Sequence, residues 1–513
     1  MKKKAFIASP QKYSSILAKK MQDEELWSPV IFLTGNSNLT FVNNHFPEAL
    51  QLNYIDSVKG IPLNNSSHSF DLKLIESVDI DLKIAVSLLD RNDSNSRSFD
   101  YKDRLFFCYE YIVFWANLLD EFKIETILFE EEPHQCSDYI LYKVALHKGI
   151  LTPMMIRTIG DLGIIPTFNF ETPNIKLIKQ YQAYKSLYDE KEQLEIPRAL
   201  SSYLQKLSGN YKVILEEHLW DQIDTYQEIF EKGNTFFSVI KTYTKKIILK
   251  LLNPQFFNFQ SDQKEANKPF AFSKMNYFKY QLYRLKTIRA KIRLFKIYKA
   301  LAISPNIKNT NYVLCALQYQ PEKSTCPLGG KYNDQRLMIM SLREVLPDDV
   351  KIIVKEHPSQ FIYDYARYGE YYRDKYYYES ILAIPNVELV DMKIDIFELI
   401  DKSLFVASVT GTICWEAVNR KKPALCFGHS WMTGCEGIFK INSSSELVNA
   451  VDIIFSNKHE ISLAYVHLFA KAIYDLGFNL AVGGESQLAH KKVTEEENAT
   501  ILFNSIKWLT ALN

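Results

Sequence analysis

Residues 352–361, IIVKEHPSQF, place a carboxylate, an imidazole and a proline at the end of an apolar run. Ile352–Lys355 reads as a buried strand. Glu356 and His357 follow, and Pro358 stops the strand because proline has no N–H to give a sheet. An imidazole at a strand end can donate to an anion or move a proton near neutral pH. A second stretch, SVTGTICWEA at 408–417, runs from a strand through Val409, Thr410, Gly411 and Thr412 into a helix. Gly411 permits a tight turn. Ser408, Thr410 and Thr412 offer hydroxyls, and the helix start offers N–H groups suited to a phosphate. Glu416 lies one turn in, within reach of ribose hydroxyls. The plainer readings are a capping histidine and an ordinary threonine N-cap.

Two further stretches carry polar groups at strand ends. In LQYQPEKSTCPLGGKYNDQ, 317–335, Glu322, Ser324 and Thr325 precede a flexible Gly329-Gly330 pair. This is either a loop facing an interdomain cleft or a polar surface loop. In FEEEPHQCSDY, 129–139, Glu130–Glu132 stand before Pro133 and His134. Adjacent carboxylates raise one another's pKa, and a positioned carboxylate or imidazole can act as a general base. Glu131, Glu132 and His134 are the candidates for that role. The alternative is a solvated acidic turn.

These residues need strands and helices to hold them. Strands are expected at Pro29–Thr34, Ile124–Phe129 and Leu151–Ile156, with a helix at Tyr139–His147. A cleaner alternation follows, with strands at Tyr312–Leu317, Lys351–Lys355, Val387–Val390, Leu404–Ser408 and Pro423–Phe427. Helices fit Gln335–Val345, Ile394–Asp401, Thr412–Arg420 and Ser445–Asn457, with Asp334 and Ser444 as N-caps. Strand–helix alternation implies parallel, doubly wound sheets, whose ligands sit beyond the carboxyl ends of the strands. No GxGxxG or GxxxxGK[ST] motif and no internal repeat occurs.

Between these regions the character changes. From Lys241 to Ala300 about fifteen Lys and Arg face two acids, so the remainder is acidic by about twelve charges. Phe278, Leu282, Leu285, Ile288, Ile292 and Phe295 recur at helical spacing, interleaved with Lys279, Arg284, Lys286, Arg289, Lys291, Arg293 and Lys296. This predicts a basic amphipathic helix. Asn253–Pro269 reads as a loop. Such a segment suits an anionic membrane surface or a solvated helix between domains. No recognised nucleic-acid module accompanies it, so nucleic acid is not the expected partner.

The chain of 513 residues is too long for one core. The expected class is α/β, with two Rossmann-type domains facing a cleft and a helical basic insertion. The segments are 1–174, 175–300, 301–458 and a helical tail, 459–513, broken at Gly483-Gly484. Hydrophobic residues are 47%, charged residues 24% and the net charge +1, ordinary values for a globular protein. The seven cysteines contain no CxxC, which argues against a zinc site or disulfide framework and for a reduced cytosol. The N-terminus makes a poor signal peptide, and no run is long enough to span a bilayer.

QPEKST, KEHP and the VTGT…WEA…KPAL.FG run resemble the capsular polysaccharide biosynthesis family. That family is similar to the GT-B Kdo transferases, and the bacterial sialyltransferases share an HP motif followed by a Ser/Thr motif. The resemblance covers roughly 310–430, with a weaker stretch, EEPHQCSDYILYKVA, at 131–145. It implies a cytoplasmic glycosyltransferase of surface polysaccharide, acting at the inner face of the membrane on a glycan or lipid-linked glycan acceptor. The sugar, Kdo-like or sialic-acid-like, would come from a CMP-activated donor, with no other cofactor and no metal. His357 and Pro358 occupy the HP pair; Ser408, Thr410 and Thr412 occupy the Ser/Thr element. The sialyltransferases' acid-acid-Gly motif has no counterpart, since Glu130–Glu132 lacks the glycine, and the base stays open. The competing readings are a GT-B enzyme with a UDP- or GDP-linked donor, an epimerase, a polyol-phosphate transferase, or a non-catalytic assembly partner.

Overall fold

A computed structural model describes residues 2–60, 72–91, 100–158, 163–189, 195–208, 277–305, 310–361, 372–456 and 460–510. The chain divides into two compact units: 1–89, 96–196 and 468–513 form the first, and 90–95 with 197–467 form the second. Where the sequence divides the chain into four segments, the contacts group it into two. The tail rejoins the first unit. The expected loop Asn253–Pro269 and most of the basic segment lie outside the described residues.

The first unit holds a parallel sheet of β1 (Lys3–Ile7), β2 (Trp27–Thr34), β3 (Leu50–Asn53) and β4 (Thr126–Leu128), in the order β3-β2-β1-β4. Its core joins Ala5, Ile7, Leu17, Phe32 and Leu128 to Leu480, Val482, Leu502 and Ile506 of the tail. The expected strand Leu151–Ile156 is displaced. Residues 151–153 lie beside β4, and the ladder proper is an antiparallel pair of β5 (Met154–Arg157) and β6 (Ile164–Thr167). Pro153 lacks the N–H that would extend the parallel pairing.

The second unit carries a six-stranded parallel sheet: β7 (Tyr312–Ala316), β8 (Lys351–Lys355), β9 (Val387–Leu389), β10 (Val406–Ser408), β11 (Ala424–Cys426) and β12 (Ile438–Lys440). Their order is β12-β11-β10-β7-β8-β9. Every ladder is parallel. In chain order this is the 3-2-1-4-5-6 arrangement of a doubly wound sheet, whose direction reverses between its first and fourth strands, here β7 and β10. Ile352, Ile353 and Val354 are all fully buried, as a central parallel strand covered on both faces requires. Helix Tyr277–Leu301 packs Leu294 and Tyr298 into this core.

The α/β class and parallel sheets expected from the sequence are therefore present in both units. Helices Arg336–Val345, Ile396–Lys402, Ile413–Asn419 and Ser444–Phe455 fall within two residues of expectation. The caps shift by one. Ser443 caps the last of these helices in a reciprocal pair with Glu446, and Gln335 rather than Asp334 is the N-cap of Arg336–Val345. Asp334 still accepts from the Arg336 N–H at 3.1 Å.

Candidate functional site at the carboxyl edge of the second sheet

Four chain segments leave the carboxyl ends of β7, β8, β10 and β11 and pack on one another. The β7 loop reaches the β10 turn through Gln318, whose Oε1 accepts the Thr410 N–H at 2.7 Å while its Nε2 donates to the Thr410 hydroxyl at 3.1 Å. The Thr410 hydroxyl donates to the Ser324 carbonyl at 2.7 Å. The β11 loop closes the group, with the His429 N–H on the Leu328 carbonyl at 2.7 Å. Two glycines allow this approach. A Cβ on Gly428 would lie 2.5 Å from Thr410 Cγ2, and one on Gly329 would lie 2.3 Å from the Thr325 carbonyl oxygen. This is the edge, and the switch point, where open α/β sheets take ligands.

His357 is half-buried at the end of β8. Its Nδ1 accepts the Ser359 N–H at 3.2 Å, which leaves the ring proton on Nε2. Burial lowers its pKa, against the opposing pull of Glu322 and then Glu356. The ring is thus a neutral N–H donor, and Glu322 of the β7 loop is its electrostatic neighbour. Pro358 opens the short 3₁₀ turn Pro358–Gln360 that fixes this geometry.

Glu356 does not share the role. Its side chain is buried and bonded to the Arg373 Nε at 2.6 Å, the Tyr378 hydroxyl at 3.0 Å and the His357 N–H at 2.8 Å. Successive side chains at a strand end turn to opposite sides, so a Glu-His pair cannot present both to one ligand. Arg373 extends the network to the Gln320 side chain at 2.6 Å and the Gln318 carbonyl at 3.2 Å. Gln335 holds Gln318 at both backbone groups, at 2.7 and 2.8 Å. Gln360 takes the Gln320 N–H at 3.1 Å. Arg373 and these glutamines form a buried frame that the sequence reading missed. No spacing marks it, because its members come from four different segments.

The turn after β10 divides its residues. The Ser408 hydroxyl is buried and donates to the Ala316 carbonyl at 3.0 Å, so it braces the sheet. Thr412 is exposed, while Gly411 is half-buried and a Cβ there would lie 2.6 Å from the Ser408 hydroxyl oxygen. None of the hydrogen bonds among the described residues engages the N–H of Gly411, Thr412 or Ile413, which are the donors a helix start leaves over. Glu416 is only 9% exposed. Burial pushes its pKa up to about 7, against hydrogen bonding from Thr412 and the charge of Arg420. To meet a ribose it would have to leave those partners. In the β7 loop Thr325 is fully buried and donates to the Glu322 carbonyl at 2.9 Å. Ser324 donates to the exposed Glu322 carboxylate at 2.7 Å.

In the first unit, Glu131 forms a backbone bridge with Met155. Glu132 is buried, and its carbonyl meets His134 Nδ1 at 3.0 Å. Gln135 then caps helix Cys136–His147 together with Asp138. Part of the acidic run thus shapes a helix start. Glu130 differs. It stands just past β4, where the order β3-β2-β1-β4 reverses. It accepts from the Ser9 hydroxyl at 3.2 Å, the Tyr13 hydroxyl and the Gly483 N–H. Burial and the neighbouring Glu131 push its pKa up to about 7. The sequence reading counted it within the run but did not single it out.

Among the described residues no group of three or more His, Cys, Asp or Glu is placed to hold a metal ion. Among them, too, no helix is long and apolar enough to cross a membrane.

Residues 250–474 match the family model described as "Capsule polysaccharide biosynthesis protein". The expected resemblance is met by that match, which covers most of the second unit. No curated protein matches. Solved structures similar to this chain include KpsC, a beta Kdo 2,7 transferase, from Thermosulfurimonas dismutans, at 11% identity over 69% of this chain and 78% of that one, TM-score 0.27. The UDP-GlcNAc 2-epimerase of Methanocaldococcus jannaschii matches at 11% over 93% and 99%, TM-score 0.24. That of Neisseria meningitidis bound to UDP-GlcNAc matches at 11% over 93% and 99%, TM-score 0.23. Likenesses at these scores carry no argument. The fold stands on the strand orders above.

Proposed function

We propose that the chain is a glycosyltransferase of surface polysaccharide assembly, moving a Kdo-like or sialic-acid-like sugar from a CMP-linked donor to a glycan acceptor. The observation that carries this reading is that a neutral His357 donor, after β8, and the N–H groups of Gly411–Ile413, after β10, stand at the same carboxyl edge of the second sheet, on strands that flank β7. The family match to capsule synthesis supports it. Breaking a glycosyl–phosphate bond leaves negative charge on the departing phosphate, and preorganised donors at that phosphate lower the barrier. In this reading His357 donates through Nε2, the Thr412 hydroxyl exchanges its bond to Glu416 for the phosphate, and Thr410 with Ser408 holds the turn in place. No metal is called for. The acid–base group is proposed among Glu130, Glu131, Glu132 and His134, with Glu130 favoured by its place past β4 and its raised pKa. The basic segment is proposed to hold the enzyme at an anionic membrane surface.

The test is transfer itself. The protein is incubated with CMP-Kdo or CMP-sialic acid and a capsule-type oligosaccharide, with and without a chelator. CMP release and the mass of the product are followed. Transfer from a CMP donor that survives chelation is expected. Transfer only from UDP- or GDP-linked donors would reject the donor, and no transfer from any of them would reject the activity.

A further inference from the structure

At the carboxyl edge of the first sheet, three segments of the chain hold one carboxyl group. Glu130 is half-buried just past β4, and Ser9 stands just past β1. The Ala8 N–H, on the Leu128 carbonyl at 2.9 Å, ties these two strand ends together. The buried Ser9 hydroxyl accepts the Gln11 N–H at 3.3 Å and gives its own proton to Glu130 Oε2 at 3.2 Å. Tyr13, also buried, lies in the first turn of helix Lys12–Asp23 and donates its hydroxyl to Oε1. The Gly483 N–H, from the tail, donates to the same oxygen. Gly483 has φ +95°, and a Cβ there would lie 2.6 Å from Nη2 of Arg157. Glycine is what allows that N–H to reach Glu130 beside a guanidinium.

A carboxylate offers about four lone-pair sites, two on each oxygen. Oε1 takes two donors and is filled. Oε2 takes one, from Ser9, and among the described residues no other group bonds to it. One acceptor site therefore remains, and it is on Oε2. Arg157 does not close it, because its Nη2 donates to the Val482 carbonyl. Glu356 in the second unit is the contrast: an arginine at 2.6 Å clamps it as a charged structural group. Around Glu130 burial, then the charge of Glu131, favours the neutral form. Hydrogen bonds from Gly483 and Ser9 and the charge of Arg157 oppose them, and the pKa settles at about 7. A base works best when its pKa lies near the working pH.

We infer that Oε2 of Glu130 is the atom that takes the proton of the acceptor hydroxyl, and that Ser9, Tyr13 and Gly483 are the residues that position it. The inference rests on the glycosyl-transfer reading above, but not on which nucleotide carries the sugar. The acceptor O–H proton passes to Oε2. The acceptor oxygen bonds to the anomeric carbon as the bond from that carbon to the donor phosphate breaks, and the electron pair leaves on the phosphate. Oε2 then returns its proton to solvent, which the half-burial of Glu130 permits.

The experiment follows transfer by the full chain to a soluble oligosaccharide from pH 5 to 9, with whichever of the CMP-, UDP- or GDP-linked donors it uses. Wild type, Glu130→Gln, Ser9→Ala and Tyr13→Phe are compared, each first checked for a native melting transition and for nucleotide affinity. In parallel the Glu130 carboxyl is titrated by carbon-13 NMR on glutamate-labelled chain, its signal assigned by its absence from Glu130→Gln. Wild type is expected to lose kcat/KM as pH falls through about 7, with the same midpoint in the titration. Glu130→Gln should lose about 100-fold or more in kcat and keep its nucleotide affinity. Ser9→Ala and Tyr13→Phe each remove a donor to the charged form, so both midpoints should rise by about half a pH unit. A merely structural role would lower the melting temperature and leave the midpoints in place. Wild-type midpoints in the folded variants, or a wild-type rate in Glu130→Gln, overturn the inference. Should Tyr13→Phe not fold, Ser9→Ala decides. An active wild type whose Glu130 titrates near the ordinary 4.5 overturns the inference and leaves the function intact. A wild type that transfers from no donor removes the functional reading, and the inference with it.

Discussion

The central residue is a neutral histidine whose one remaining ring proton is on Nε2. Its sequence signal was strong, because Pro358 fixes where the strand stops and so where the imidazole must be. Glu356, its neighbour, was read wrongly for a reason the pleat supplies: the two side chains part, and only one can meet a ligand. Arg373, its partner, lies beyond a stretch with no periodic relation to it. The buried Glu356–Arg373 pair makes a direct prediction. Arg373→Met leaves a carboxylate uncompensated and should cost about 3–5 kcal/mol in urea unfolding, whereas Glu388→Gln on the partly exposed Lys351–Glu388 pair should cost under about 1 kcal/mol. Equal losses would contradict the frame. Glu416 carries a pH prediction. Its folded pKa of about 7 lies above the usual 4.5, so the folded state keeps a proton that the unfolded chain releases. That contribution is present in full below about pH 4.5 and is lost as pH rises to about 7, a fall of about 3 kcal/mol. Glu416→Gln should flatten this part of the stability profile between pH 5 and 8, and an unchanged profile would contradict it.

Among the elements, five of the six strands of the second unit were legible as short apolar runs closed by polar residues, whereas β12 (Ile438–Lys440), only three residues long, was not expected. The turn chemistry was less so. Gly411 was read as a tight-turn residue, but Gly428 and Gly329 were not recognised as the points where three loops touch. Their requirement comes from a neighbour, which local sequence does not show. Gly428→Ala would drive a methyl into Thr410 Cγ2 and the Leu328 carbonyl oxygen, at 2.5 and 2.6 Å. We expect a loss of about 1–3 kcal/mol in stability and weaker nucleotide binding. Nucleotide affinity unaffected by this change would separate the β10 turn from the site. Helix Tyr277–Leu301 was legible in its period, yet the sequence did not tell the buried Lys291 from its exposed neighbours. For the exposed set, charge reversal at Lys286, Arg293, Lys296 and Lys299 should abolish sedimentation with phosphatidylglycerol vesicles, at about 1 kcal/mol per charge, and leave soluble-acceptor turnover unchanged. Wild-type chain that ignores such vesicles would remove the membrane proposal.

At the scale of the whole molecule, the tail was legible as helices but not as part of the first unit. That pairing spans more than three hundred residues of sequence, as the Gly483–Glu130 bond shows. Leu480, Val482, Leu502 and Ile506 fill the core beneath β1 and β2. A chain ending at His467 should therefore lose the cooperative melting of the first unit while the second keeps its own transition and its nucleotide binding. Two preserved transitions would contradict the division of the chain.

The account rests most heavily on a nucleotide site at the carboxyl edge of the second sheet. The measurement that tests it most directly is a calorimetric titration of CMP, CDP, UMP, UDP and GDP into wild type and His357→Ala. The expected result is selective binding of CMP, weakened about tenfold or more in the variant by loss of the Nε2 donor. Binding of none of the five by a folded wild-type chain would contradict it, and His357 would then be only the residue that ends its strand.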